Sequence, residues 1–145
     1  MLATSHNDFA WCVVRRTDAK ATEYAAALKE AQAATELLPE GGNCLNTLGA
    51  AQYRVGDYKQ SLATLTRSAE LNAKQLDLEH PHPLDLVFLA MVHHRLGDET
   101  KAREHFSRLQ EILKQERWKN DSEIKPLLRE AEKLIAPNPP PEPTP

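Results

Sequence analysis

Glycine, phenylalanine and cysteine are scarce in this sequence. Its 145 residues include only 5 Gly, 3 Phe and 2 Cys. So few glycines argue against a strand-rich fold with many tight turns. The residues that dominate instead are Ala, Leu, Glu, Lys, Arg and Gln, which are good helix formers. Because the length suits one domain, the sequence predicts a single helical domain.

The cysteines and the N-terminus bear on the compartment. Cys12 and Cys44 show no CxxC spacing. We interpret them as two free thiols in a reducing compartment, with a disulfide as the alternative. The first residues lack the basic start and apolar run of a signal peptide, and no apolar stretch approaches the length of a membrane span. We therefore predict a cytoplasmic protein without a membrane partner.

A large net charge and the common catalytic motifs are also missing. The net charge of -3 provides no broad basic field, so we expect no nucleic-acid partner. There is no Gly-rich phosphate loop, GxSxG elbow or HExxH. We can name no catalytic residue and no cofactor, and we predict that the chain is not an enzyme.

The histidines raise a metal hypothesis that their spacing disfavours. His80 and His82 flank Pro81, while His93 and His94 are adjacent in a helical segment. Adjacent helical residues point about 100° apart, and no cysteine stands at a ligand-like spacing. We expect no metal site. His93 is interpreted as a partly buried core residue and His94 as surface.

What the sequence does contain is an internal repeat. Residues 48–58, LGAAQYRVGDY, correspond to residues 89–99, LAMVHHRLGDE. Apolar residues recur at helical spacing on both sides of each Arg-apolar-Gly-Asp stretch. Gly56 and Gly97 are expected to end helices in the left-handed conformation, and Asp57 and Asp98 to cap the next ones. Each unit therefore predicts two antiparallel helices joined by a tight turn.

Further elements lie on either side of this repeat. An earlier unit is predicted to have a short first helix, opened by Asn7 or Asp8, and a second helix from about Thr22 to Leu38. Residues 76–82 are predicted to form a loop, since His80-Pro81-His82-Pro83 cannot be helical throughout. An apolar stripe predicts a last helix over about 122–136. The Pro-rich tail 137–145 is predicted to be extended and disordered.

These residues resemble the tetratricopeptide repeat (TPR), a 34-residue helical hairpin. The resemblance implies repeats at about 8–41, 42–75 and 83–116 within a domain of residues 1–136. It implies an all-α, right-handed α-solenoid in which the last helix covers the final hairpin as a cap. The run from Asn43 to Arg54, with Phe88-Leu89-Ala90-Met91, is similar to C-terminal TPR arrays of large bacterial proteins, including serine/threonine kinases and WD-repeat proteins.

The resemblance also implies a function and a site. Stacked repeats leave a concave face lined by the first helix of each hairpin, and this face would bind a peptide or a partner domain. The positions that this register assigns to it are Asn43, Asn46, Tyr53, Arg54, Leu84, Val87, Met91, His94 and Arg95. Unused surface or internal packing is the alternative for each. The Lys and Asn residues by which some family members clamp a C-terminal carboxylate are absent.

The sequence therefore predicts a non-catalytic scaffold that holds another protein. The alternative is a regulatory or self-association segment of a larger bacterial enzyme, such as a serine/threonine kinase. The identity of the partner is not encoded in any motif.

Overall fold

The chain is helical throughout the part that its structure describes. The computed structural model describes residues 2–135, and no strand occurs among them. The predicted tail 137–145 lies outside these residues. The helices are α1 (Leu2–Val14), α2 (Ala21–Leu37), α3 (Gly42–Arg54), α4 (Tyr58–Gln75), α5 (Pro83–Arg95), α6 (Glu99–Ile112) and α7 (Ile124–Leu134).

The helices pack mainly against their neighbours in the sequence. α1 packs on α2, α3 on α4, and α5 on α6, while α2 contacts α3 and α4 contacts α5. The first helices of these pairs also meet one another, α1 with α3 and α3 with α5. We call the surface formed by α1, α3 and α5 the A-helix face.

The predicted Gly-Asp turns are confirmed as helix ends. Gly56 and Gly97 have φ angles of +87° and +85°. Asp57 N–H donates to the Gln52 carbonyl at 2.9 Å, and Asp98 N–H donates to the His93 carbonyl at 2.8 Å. This six-to-one bond, made possible by the left-handed residue, satisfies carbonyls that the helix leaves free. The same backbone arrangement therefore closes α3 and α5.

The two aspartates after these glycines behave differently. The Asp98 carboxylate accepts the Lys101 N–H at 3.1 Å, so the predicted cap of α6 is confirmed. Asp57 makes no such side-chain bond, so the predicted cap of α4 is wrong. The helix begins at the same place because its backbone, rather than the carboxylate, defines the turn.

The first helix is longer than the sequence predicted. α1 begins at Leu2 and spans 13 residues, as α3 and α5 do. Asn7 does not open it but lies buried within it. The prediction of a short helix opened by Asn7 or Asp8 is therefore wrong. Its polar residues Thr4, Ser5 and Asp8 disguised the pattern because they occupy the exposed face.

The core is centred on α5. Every residue of this helix from Asp85 to His93 is buried, because α3, α4, α6 and α7 all pack against it. Phe88 lies at the middle, with its ring 6.5 Å from that of Trp11 and 6.0 Å from that of Tyr53. An α-helix that is apolar all round is typically enclosed in this way.

The last helix begins at Ile124, slightly later than predicted. The Asp121 carboxylate accepts the N–H groups of Glu123 and Ile124 at 2.9 and 3.2 Å. The helix packs extensively against α5 rather than against α6. It therefore lies on the inner side of the third hairpin. None of the helices in residues 2–135 combines the length and apolar character needed to cross a bilayer.

The energetic cost of the left-handed backbone conformation at Gly56 can be measured without disturbing side-chain packing. A Cβ added there would meet no atom within 4 Å, so Gly56→Ala pays only for the left-handed conformation, about 1 kcal/mol. Gly56→Asn should cost less, because asparagine tolerates this conformation. Urea unfolding should rank stability as Gly, then Asn, then Ala, and an equal cost for both substitutions would contradict this account.

Candidate functional site

A cleft of about 230 Å³ opens at one end of the A-helix face. It lies where the first turns of α3 and α5 approach α1 and the residue before α7. Four asparagines contribute to its wall, together with one large aromatic ring and two leucines. The lining residues are Asn7, Trp11, Asn43, Asn46, Thr47, Asn72, Leu76, His82, Leu84 and Glu123.

Asn7 is the residue of this cleft that most needs a partner. Only 9% of the residue is exposed to solvent. Its carbonyl oxygen, Oδ1, has no hydrogen-bond partner in the protein. A buried acceptor left without a donor costs about 1–3 kcal/mol. A ligand that donates an N–H into the cleft would remove this cost.

The floor of the cleft is fixed by a buried carboxyl group, that of Asp85 in the first turn of α5. Asn46 Nδ2 donates to it at 2.8 Å, Ser68 Oγ at 2.6 Å and Asn72 Nδ2 at 2.9 Å. Burial raises the pKa of the Asp85 carboxyl, and these three hydrogen bonds oppose the rise. The network joins α3, α4 and α5, so it holds the second hairpin against the third.

Gly42 lets this network close. A Cβ at this position would strike the Asn72 side chain. Asn72 Nδ2 instead reaches the Gly42 carbonyl at 3.3 Å as well as Asp85. Because the glycine is in the first turn of α3, the absence of its side chain brings α4 close to the mouth of the cleft.

His82 forms the other wall and also caps α5. Its Nδ1 accepts the Leu84 N–H at 3.0 Å, and Pro83 occupies the first helical position, where no N–H is needed. Burial lowers the pKa of His82, and the Asp121 carboxylate opposes this effect. The ring also lies edge-on to Trp118, with centroids 4.9 Å apart.

The structure separates the nine positions predicted to bind a partner into three groups. Asn43, Asn46 and Leu84 line the cleft. Val87 and Met91 are fully buried in the cluster that also contains the apolar residues of α7. Around the other end lie Tyr53, Arg54, His94 and Arg95.

Within this last group, only Arg95 is exposed. Its Nε donates to the Tyr53 hydroxyl at 3.3 Å. His94 is half-buried beside Glu99. Arg54 is enclosed, with 6% side-chain exposure, and pairs with Glu130 of α7. The predicted set is therefore not one continuous surface, because α7 covers the part between the cleft and Arg95.

Several residues of the cleft, and the carboxyl group beneath it, could not be recognised from the sequence. Asn72 and Glu123 gave no signal, because each resembles an ordinary polar residue on a helix surface. Asp85 would be expected to be exposed, as an acidic residue in a first helical turn usually is. The apolar run Leu86–Val92 was the signal that could have indicated the burial of Asp85. A helix that is apolar on all sides is surrounded by other elements, and they also enclose the charged residue at its start.

The histidines, for which we expected no metal site, include one stacked pair. His93 stacks on His105 with ring centroids 5.1 Å apart. Burial lowers the pKa of both rings. Within residues 2–135, no three His, Cys, Asp or Glu side chains converge on a position for a metal ion.

Neither a protein-family model nor a curated protein matches the sequence.

We predict that Asp85→Ala will lower the free energy of unfolding by about 2 kcal/mol, because it removes the acceptor of Asn46 Nδ2 and leaves Ser68 and Asn72 to share the Gly42 carbonyl. Asp57→Ala is the matched control. Its carboxylate is exposed and makes no cap bond, so its cost should stay within about 0.5 kcal/mol. Urea unfolding of both variants measures the difference, and comparable costs would show that the network contributes little.

We predict that His82 makes the protein less stable in mild acid. Its folded pKa is lowered below the ordinary value of 6.5, so the unfolded chain binds the proton more readily. The contribution of the neutral His82 ring to the free energy of unfolding is complete above about pH 6.5. It is lost as the pH falls through the folded pKa.

The variant His82→Asn should retain a cap and lose the titration. Between pH 7.5 and 5.5, the free energy of unfolding of this variant should fall less than that of the wild type. The two slopes should differ by at most about 1.4 kcal/mol per pH unit. Parallel pH profiles for variant and wild type would exclude this role.

Proposed function

We propose that the protein is a TPR-like interaction module that binds an extended peptide segment of another protein in the cleft. The observation that carries this proposal is the buried, unpartnered carbonyl oxygen of Asn7 in the cleft wall. It calls for an N–H donor, and every peptide backbone presents such donors at regular intervals.

The rest of the cleft suits the same ligand. An asparagine side chain has both a donor and an acceptor and can pair with a peptide group on both sides. Asn43 stands exposed at the rim of the cleft. Trp11, Leu76 and Leu84 supply apolar surface between the amides. A ligand with alternating polar backbone and apolar side chains would satisfy both kinds of surface.

The arrangement of helices supports the TPR-like part of the proposal. Three hairpins of similar length pack in order, and their first helices contact one another. Within a hairpin, small residues allow the two helices to approach closely, as at Gly49 of α3, where a Cβ would strike Leu65 of α4. We infer a short right-handed α-solenoid, which is the arrangement that such hairpins form when they stack.

The remaining parts of the proposal follow from the class of protein. A module of this kind acts as a non-catalytic scaffold, and a bacterial cytoplasmic setting fits its free Cys12 and Cys44. A regulatory or self-association segment of a larger enzyme stays the alternative.

We predict that Asn43→Arg will block the cleft. The wild-type chain would be used to select peptides from a random displayed library, and the best peptide synthesised with a fluorescent label. A long charged side chain at the rim should weaken its binding by about tenfold or more. Because Asn43 is exposed, the fold should tolerate the change.

The matched control is Gln110→Arg, which adds the same charge at an exposed position of α6. It should bind the peptide as the wild type does. Equal binding by Asn43→Arg and Gln110→Arg would exclude the cleft as the site, and failure to select any peptide would count against the function itself.

A further inference from the structure

The helix α7 covers the A-helix face in the manner of a bound ligand. It is amphipathic, and its buried side chains are Ile124, Leu127 and Ala131, followed by Ile135 just after its end. Lys125, Arg129 and Lys133 point to solvent. Among the other helices in residues 2–135, only α5 is in extensive contact with it. Its hydrogen bonds and ion pairs with the face involve two glutamates, one in the helix and one just before it.

The first glutamate, Glu130, pairs with a guanidinium that other groups hold in place. Arg54 Nε donates to the Val14 carbonyl at 2.8 Å. The guanidinium carbon lies 5.6–5.8 Å from the ring centroids of Tyr24, Tyr53 and Phe88. None of these contacts involves α7.

Arg54 contacts α7 through its two terminal nitrogens, which donate to the two Glu130 oxygens at 2.5 and 2.8 Å. This paired geometry is the one by which arginine recognises carboxylates. Without α7, the same two donors would face outward from a fixed position. Arg54 is therefore a built receptor for a carboxylate, whichever chain supplies it.

The second glutamate, Glu123, stands seven residues earlier. Trp11 Nε1 donates to it at 3.2 Å, and an Arg15 nitrogen lies 3.5 Å away. Seven residues of α-helix span about 10 Å. The face therefore recognises two carboxylates at this separation, with an apolar stripe between them.

The segment that connects α7 to α6 is short and ends in exposed residues. It comprises residues 113–123, which form no α-helix. Trp118 anchors this connection, because it is buried against His82. After it, Lys119, Asn120, Ser122 and Glu123 are all exposed. The backbone that must rearrange when α7 moves is therefore this short exposed segment, while the side-chain contacts of α7 with α5 and Arg54 are broken.

We infer that α7 is a displaceable internal ligand, and that the A-helix face accepts in its place an amphipathic helix of a partner protein. That helix carries an apolar stripe and two carboxylates seven positions apart. This inference goes beyond the proposed function, because the cleft is open while α7 is docked, whereas this second site exists only when α7 leaves.

The first test uses hydrogen exchange in the unmodified chain. The amides of α7 should exchange through an opening of lower free energy than those of α3 and α5. Exchange of α7 only through global unfolding, at the same free energy as α5, would overturn the inference.

The second test uses a fluorescently labelled synthetic peptide of residues 121–135. Glu130→Arg in the full chain should release α7 by opposing Arg54 with a like charge, and the peptide should then bind about tenfold more tightly than to the wild type. A peptide carrying the same Glu130→Arg change should not bind. The matched control chain is Glu132→Arg, the same charge change at an exposed position of α7, which should behave as the wild type.

Four results of this test would overturn the inference. The peptide could bind all three chains equally or bind none of them. The Glu130→Arg chain could lose its cooperative unfolding transition, which would make α7 part of the obligatory core. Sedimentation equilibrium could show a wild-type dimer that Glu130→Arg abolishes, which would assign the face to exchange of α7 between copies.

Discussion

One guanidinium connects most of the elements of this protein. Arg54 comes from the end of α3, donates to the last residue of α1 and lies over rings from α2, α3 and α5. It then pairs with α7. Its charge is nearly removed from water, so each of these contacts is needed to offset its desolvation. The position of α7, and hence the extent of open surface, depends on this residue.

The two ends of the A-helix face differ in how their buried polar groups are paired. At the Arg54 end, a buried cation is neutralised by a helix from the same chain. At the cleft end, the carboxyl of Asp85 accepts from three donors on two helices, yet a neighbouring amide, that of Asn7, keeps an acceptor without a donor. The buried charge at the α7 end is therefore paired within the chain, whereas the cleft end keeps one unpaired buried acceptor.

The hairpins were predictable because their signals are local. Gly56 and Gly97 mark helix ends, and the apolar spacing on either side of them defines two packed helices. The fate of Arg54 was not predictable in this way. Its partner Glu130 is 76 residues distant in the sequence, and helical periodicity carries no information on pairing at that range. Val87 and Met91 were assigned to an open face for the same reason, since nothing in α5 indicates where α7 will dock. Asp57 and Asp98 show a further limit: their sequence contexts match, but only one side chain forms the cap bond.

The order of the elements along the chain has a consequence for synthesis. Each hairpin makes most of its contacts within itself or with the one before it, so the fold can grow from the N-terminus as the ribosome extends the chain. The helix that covers Arg54 is the last one made among the described residues. A nascent chain thus exposes the Arg54 end of the A-helix face before the helix that covers it is made.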